Sequence, residues 1–128
     1  MTLDDLSALG TFPALSGTVV RAERALAEAF ARRLTTPRGA LWYAPAYGTD
    51  LRQFVLRRDT PALRYAVEAA VEAELEKEGL VLEARAVVRA VAPRELTVTV
   101  EADTADGRWV GLVRATDALV EVSDAEPR

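Results

Sequence analysis

Covalent chemistry in this chain would have to come from carboxylates. The 128 residues include no histidine and no cysteine. That removes imidazole acids and bases, thiol nucleophiles, disulfides, and zinc sites built on thiolate or imidazole. The serines, Ser7, Ser16 and Ser123, lie outside any Gly-x-Ser-x-Gly turn. No phosphate-cradling glycine loop or dinucleotide fingerprint is present. Two carboxyls flanking a glycosidic bond would be the remaining option, at about 5–5.5 Å for retention or 6.5–9.5 Å for inversion, one of them with a raised pKa. Glu23, Glu28, Asp50 and Glu83 are the candidates for such a pair, and nothing in their surroundings marks an apolar pocket. The reading is therefore no catalytic residue, no metal and no cofactor.

The elements that would position these groups follow from periodicity. Residues 1–17, with Gly10, Pro13 and Gly17, read as an extended arm. Thr18 can cap a helix to about Leu34, on which Ala22, Leu26, Phe30 and Leu34 form an apolar stripe opposite Arg21, Arg24, Glu28 and Arg32. Pro37 stops it. An irregular stretch follows to Asp50, in which Trp42, Tyr43 and Tyr47 are expected to pin the loop to the core. Thr49 or Asp50 caps a short helix, with Gln53 completing a box-like pair. The clearest helix spans 61–78: Thr60 caps it, Pro61 takes its first position and Gly79 closes it. Its apolar face is Leu63, Val67, Val71 and Leu75; Arg64, Glu68, Glu72 and Glu76 form a polar one.

The period then changes to two. Residues 80–91 predict a strand with Leu82, Ala84, Ala86 and Val88 on one side and Glu83, Arg85 and Arg89 on the other. Pro93-Arg94-Glu95 turns the chain into a strand over 96–101, Asp106-Gly107 signals a hairpin into 109–115, and 119–122 can add a last strand. The fold class expected is α+β, with N-terminal helices packed on one face of a small, mainly antiparallel sheet. It forms a single domain over 18–123, with a tail at 124–128.

Half the residues are hydrophobic and 28% are charged, an ordinary globular composition. No apolar run approaches the length of a membrane span, and the N-terminus does not read as a secretory signal. The net charge is −4, with +3 over residues 1–64 and −7 over 65–128. Fifteen arginines accompany one lysine, Lys77. Arginine suits bidentate pairing at interfaces, and codon bias in a GC-rich genome, consistent with 24 alanines, accounts for the same excess. With no dense basic run and an acidic total, the reading excludes a nucleic-acid partner.

One local pattern goes further. Leu34-Thr35-Thr36-Pro37-Arg38-Gly39 is followed by Tyr47-Gly48-Thr49-Asp50-Leu51. This resembles the baseplate wedge protein family of contractile phage tails, of the phage W-protein type, with relatives in R-type bacteriocins and type VI secretion baseplates. The family pattern is Leu-x-Thr-Pro-x-Gly closing a helix, then Tyr-Gly-x-Asp-Leu opening another. Leu34, Thr36, Pro37, Arg38, Gly39, Tyr47, Gly48, Asp50 and Leu51 would then be its scaffold. Members often carry Glu-Pro-Arg after the long helix, at a junction with other wedge proteins; here the matching residues are Glu83-Ala84-Arg85. The resemblance implies that Glu83 and Arg85 bind partners.

It further implies a non-enzymatic subunit, present in several copies around the tail axis. Its partners would be other wedge proteins, the tail sheath, and tail tube or hub proteins, with no nucleic acid and no membrane. It would start sheath assembly by strand addition at an edge drawn from 96–101, 109–115 or 119–122. It would reside in the bacterial cytoplasm during assembly and then in the baseplate of the tail or virion. The family has also been labelled lysozyme-like, which makes peptidoglycan cleavage by paired carboxylates the alternative.

Overall fold

A computed structural model describes the backbone of residues 12–124 and the side chains of 24–124. Its elements are helix α1 (Phe12–Thr35), a single 3₁₀ turn (Leu51–Phe54), helix α2 (Pro61–Leu75), and strands β1 (Val81–Ala92), β2 (Glu95–Thr104), β3 (Gly107–Thr116) and β4 (Val120–Asp124). The strands form one antiparallel sheet in the order β1-β2-β3-β4. The α+β class is as expected. The helix begins earlier than its anticipated cap: Pro13 lies in the first turn, where a missing N–H costs no intrahelical bond. Residues 12–17 are thus helical rather than extended. The rest of the arm, residues 125–128, and the side chains of Arg21, Ala22 and Glu23 lie outside the described residues.

The core is one layer of helix stripes against one sheet face. Leu26, Phe30 and Leu34 from α1, and Leu63, Val67, Val71 and Leu75 from α2, are all buried. Opposite them lie Leu96, Val98, Val100 and Ala102 of β2 and Trp109, Val113 and Ala115 of β3. Each fully buried Val, Leu or Phe contributes about 1.5–3 kcal/mol, so this face dominates stability. Trp109 folds over Gly111, where an added Cβ would overlap its ring, and meets Phe30 edge-on at 5.3 Å.

Two expectations fail at element ends. Helix α2 stops at Leu75 rather than 78 because its last turn tightens: Lys77 N bonds Glu74 O and Glu78 N bonds Leu75 O, both i to i+3 contacts. Leu82 does not face the core with Ala84. A register shift between Val81 and Glu83 turns Val81 inward and leaves Leu82 71% exposed.

The polar face of α2 does more than meet water. Glu76, Glu72 and Glu68, one turn apart, accept the backbone N–H groups of Ala84 (3.1 Å), Ala86 (2.9 Å) and Val88 (2.9 Å). β1 is a terminal strand whose ladder partner, β2, lies on its other side. The glutamate row therefore supplies the acceptors that a further strand would have offered. β2 is paired on both sides throughout 96–101, and β3 is paired on both sides over 111–115, so neither 96–101 nor 111–115 is an open edge; 109 and 110 pair with β2 alone among the described residues. β4 ends the sheet. Helix α1 packs against it, and Ala31 of α1, Leu112 and Arg114 of β3, and Val120, Glu121, Val122 and Ser123 line a mixed polar and apolar groove of about 390 Å³; no glutamate row like that on β1 bonds its amides among the described residues.

Replacing Glu68, Glu72 and Glu76 together by Ala should speed amide exchange at Ala84, Ala86 and Val88 by roughly tenfold or more and promote concentration-dependent association. The triple Gln variant, whose amide oxygens still accept, should behave like wild type. Unchanged exchange in the Ala variant would show that the edge is shielded by other groups.

Candidate functional site

The motif halves lie at the C-terminal end of α1 and in the loop that follows it. Thr35 and Thr36 turn their hydroxyls back onto the carbonyls of Ala31 and Arg32 (2.7 Å each), and Pro37 prevents continuation. Gly39 takes a positive φ of +89° at the bend. The chain then returns, and Thr49 N bonds Arg33 O at 2.9 Å. Gly48 is the point of closest approach. Its φ is +98°, and a Cβ there would run into the carbonyl oxygen of Thr36. Leu34 and Leu51 are fully buried, so the two halves share a core as well as backbone bonds.

A residue outside the motif ties it together. Glu74 of α2 is fully buried. Its carboxylate accepts Gly48 N at 2.8 Å, Arg33 Nη1 at 2.9 Å, Lys77 Nζ at 3.1 Å and, at 3.5 Å, Arg38 Nη2. Arg38 also donates through Nε to Gly48 O at 3.2 Å, and Lys77 donates to Ala46 O at 2.7 Å. Arg33 continues to Glu78 at 2.7 Å and lies over the Tyr47 ring at 4.6 Å. Burial pushes the Glu74 carboxyl up, but the Gly48 N–H, Arg33 and Lys77 outweigh it and hold the group below its ordinary 4.5. For Arg33 the loss of water lowers the pKa, and Glu78 and Glu74 more than restore it. Glu74 was not among the sequence candidates. Its signal was a carboxylate at i+3 from Val71 and i+7 from Val67, on the face that packs inward.

Asp50 caps the 3₁₀ turn through Arg52 N at 3.0 Å. The Arg52 guanidinium grips both its oxygens at 2.9 Å and reaches Thr35 O at 3.2 Å. This pairing, led by the Arg52 side chain, pulls the Asp50 carboxyl down, the opposite of what a general acid needs. The short helix expected here is one 3₁₀ turn, and Gln53 forms no box because Arg52 occupies the capping carboxylate. Of the other glycosidase candidates, Glu28 is exposed, Glu83 is an exposed partner of Arg85, and Glu23 lies outside the described side chains.

Arg85 sits on the sheet face away from the helices. It contacts Asp103 at 3.2 Å, Glu101 at 3.3 Å and Glu83 at 3.4 Å, and Arg108 adds a 3.0 Å contact to Asp103. The sequence pair Glu83–Arg85 is thus one corner of a charge array spanning β1, β2 and β3. Ala84, where the family carries proline, has an N–H directed away from β2 and used by Glu76. The motif scaffold and the Glu83–Arg85 corner are separate places, joined through α2. Trp42 and Tyr43 do not pin the loop: they are 89% and 68% exposed and pack edge-on against each other at 5.5 Å. Only Tyr47 turns inward, drawn by Arg33.

Neither family models nor curated proteins give a match to this chain.

Glu74→Gln should cost about 3 kcal/mol at neutral pH, because it leaves Arg33 and Lys77 without their shared counter-charge. Since folding lowers the Glu74 pKa, its stabilisation is complete above the unfolded value and is lost as pH falls through the lower folded one. Denaturant melts of the two proteins should therefore converge as pH drops below about 4.5, and a constant gap would refute the assignment. Gly48→Ala should destabilise by more than about 1 kcal/mol, from positive φ together with the Thr36 clash.

Proposed function

We propose that this chain is a structural, non-enzymatic baseplate wedge subunit of a contractile tail or injection machine, joining other wedge proteins and tail tube or hub proteins to the first sheath layer. The observation that carries this reading is the closure of both motif halves on Glu74. Residues far apart in the pattern share one buried carboxylate, one pair of buried leucines and a backbone bond from Thr49 to Arg33. A chance coincidence of two short strings needs no such common centre.

Two further features support it. Edge β1 is capped by glutamates, whereas β4, the other terminal strand, has no such acceptor row among the described residues although α1 packs against it, so β4 is where an incoming sheath strand would add. The Glu83–Arg85 corner offers a charged surface on the opposite face of the sheet from the helices, where a neighbouring wedge protein can dock without disturbing the core. Several copies around the tail axis would each present β4 in the same orientation. The subunit would gather in the bacterial cytoplasm during assembly and remain in the baseplate of the finished tail or virion.

Wedge complexes containing this chain should seed growth of purified sheath subunits, followed by light scattering and electron microscopy; equal growth without the chain would refute the reading. Arg85→Glu should leave a folded domain, with circular dichroism unchanged and a melting temperature only slightly lower, while wedge complexes fail to assemble. Normal tails carrying this substitution would remove Arg85 from the interface.

A further inference from the structure

The sharpest departure from a water-adapted surface is the loop between the motif halves. Trp42 and Tyr43 stand almost fully out of the protein, braced edge-to-face on each other rather than on the core. The backbone beneath them is firmly held. Successive turns close through Ala40 N to Pro37 O, Ala44 N to Leu41 O and Tyr47 N to Ala44 O, and Lys77 grips Ala46 O from α2. Beside the pair, Ala31, Thr35, Leu41 and Tyr47 line a wide, mostly apolar groove of about 720 Å³ between the end of α1 and the loop.

Large aromatics on a pre-ordered backbone lose little entropy when they are covered, and Trp and Tyr are the commonest anchors of binding energy at interfaces. Exposing both side by side leaves water against a surface that another molecule would cover.

The rim of the groove states what kind of molecule fits. Arg32 lines it, is exposed, and has no ion-pair partner within 4.0 Å among the described residues. No acidic side chain lines the groove. Arg32 thus sets one positive charge, without an ion-pair partner among the described residues, against an apolar floor. A second copy of this chain is a poor complement, because most carboxylates among the described residues are engaged. Glu68, Glu72 and Glu76 serve β1 amides; Glu101 and Asp103 serve Arg85; Glu95 and Glu121 serve Arg114.

We propose that the Trp42–Tyr43 platform and its groove form a docking site for a segment of another protein that combines a large apolar side chain with neighbouring aspartate or glutamate. The apolar side chain enters the groove against Tyr43 and Leu41, Trp42 closes over it, and a carboxylate pairs with Arg32. This site borders the groove beside β4, with which it shares Ala31, lies apart from the Glu83–Arg85 corner, and does not depend on the baseplate reading.

The test is selection of a displayed random-peptide library on the full chain, followed by titration of the enriched peptides. Enrichment of sequences pairing aromatic or large aliphatic residues with acidic ones is expected. Their affinity should fall roughly tenfold or more in Trp42→Ala and in Arg32→Glu, and persist in Arg32→Lys. Both positions are exposed, so melting temperatures should not change. Peptides without acidic enrichment, or equal binding to Trp42→Ala, would overturn the proposal. So would tighter binding of a single-stranded oligothymidylate, which would make the platform a base-stacking surface. Wild-type self-association abolished by Trp42→Ala would overturn it too, in favour of a second copy.

Discussion

A carboxylate with no exposure to water is an unfavourable thing to build, and the structure around Glu74 is arranged to support one. The loss of hydration alone would drive the group to bind a proton. Three donors reverse that balance, the Gly48 amide, Arg33 and Lys77, and Arg38 adds a longer contact at 3.5 Å. Each donor comes from a different stretch of chain or a different turn of helix. The charge therefore fixes the end of α1, the return of the loop and the last turn of α2 relative to one another. Removing the acid would take the shared counter-charge from Arg33 and Lys77 and the acceptor from the Gly48 amide at once, whereas removing one cation leaves others in place. This asymmetry makes Glu74 the centre of the arrangement.

The same helix controls the sheet. Its inner stripe buries Val67 and Val71 against the strands, and its adjoining glutamates take up the unpaired amides of β1. A helix over a terminal strand is a common way to protect an edge; direct acceptor bonds from its side chains make the protection specific to three amides. The bulge at Val81–Glu83 belongs to this geometry. It shifts the phase of β1 so that Ala84, Ala86 and Val88, all small or β-branched, lie under the helix, and it leaves Leu82 outside. At Ala84 the amide that a proline would lack is spent on Glu76, which ties α2 to β1.

The proposed function rests on surfaces. Asp50, the best-placed acid near the motif, is committed to Arg52 and depressed rather than raised. Three features lie outside the core: the terminal strand β4, a charge array around Arg85, and an aromatic platform on a braced loop. They are built on different parts of the fold: the sheet end, the sheet back and the helix end. The proposed baseplate role uses the first two.

Much of the fold was legible from residue order alone. Thr60-Pro61 marks the start of α2, the Leu63-Val67-Val71-Leu75 spacing marks its buried face, and the alternation in 96–101 marks a strand with one wet side. Such signals are local, so short-range sterics and periodic burial suffice to read them. The motif glycine at 48 was also legible as a turn, though not as a point of contact with Thr36. Three decisions belonged to tertiary structure. Whether Trp42 and Tyr43 faced in or out depended on how Arg33, Gly48 and Lys77 anchored the loop. Whether the glutamates of α2 met water or amides depended on where β1 ran beneath them. Whether Glu74 was a surface acid or a buried hub depended on donors contributed by residues 26 to 41 positions earlier in the chain. Hydrogen bonds and ion pairs between distant segments leave no period in a sequence, because each partner is an ordinary polar residue until the fold brings it within 3 Å.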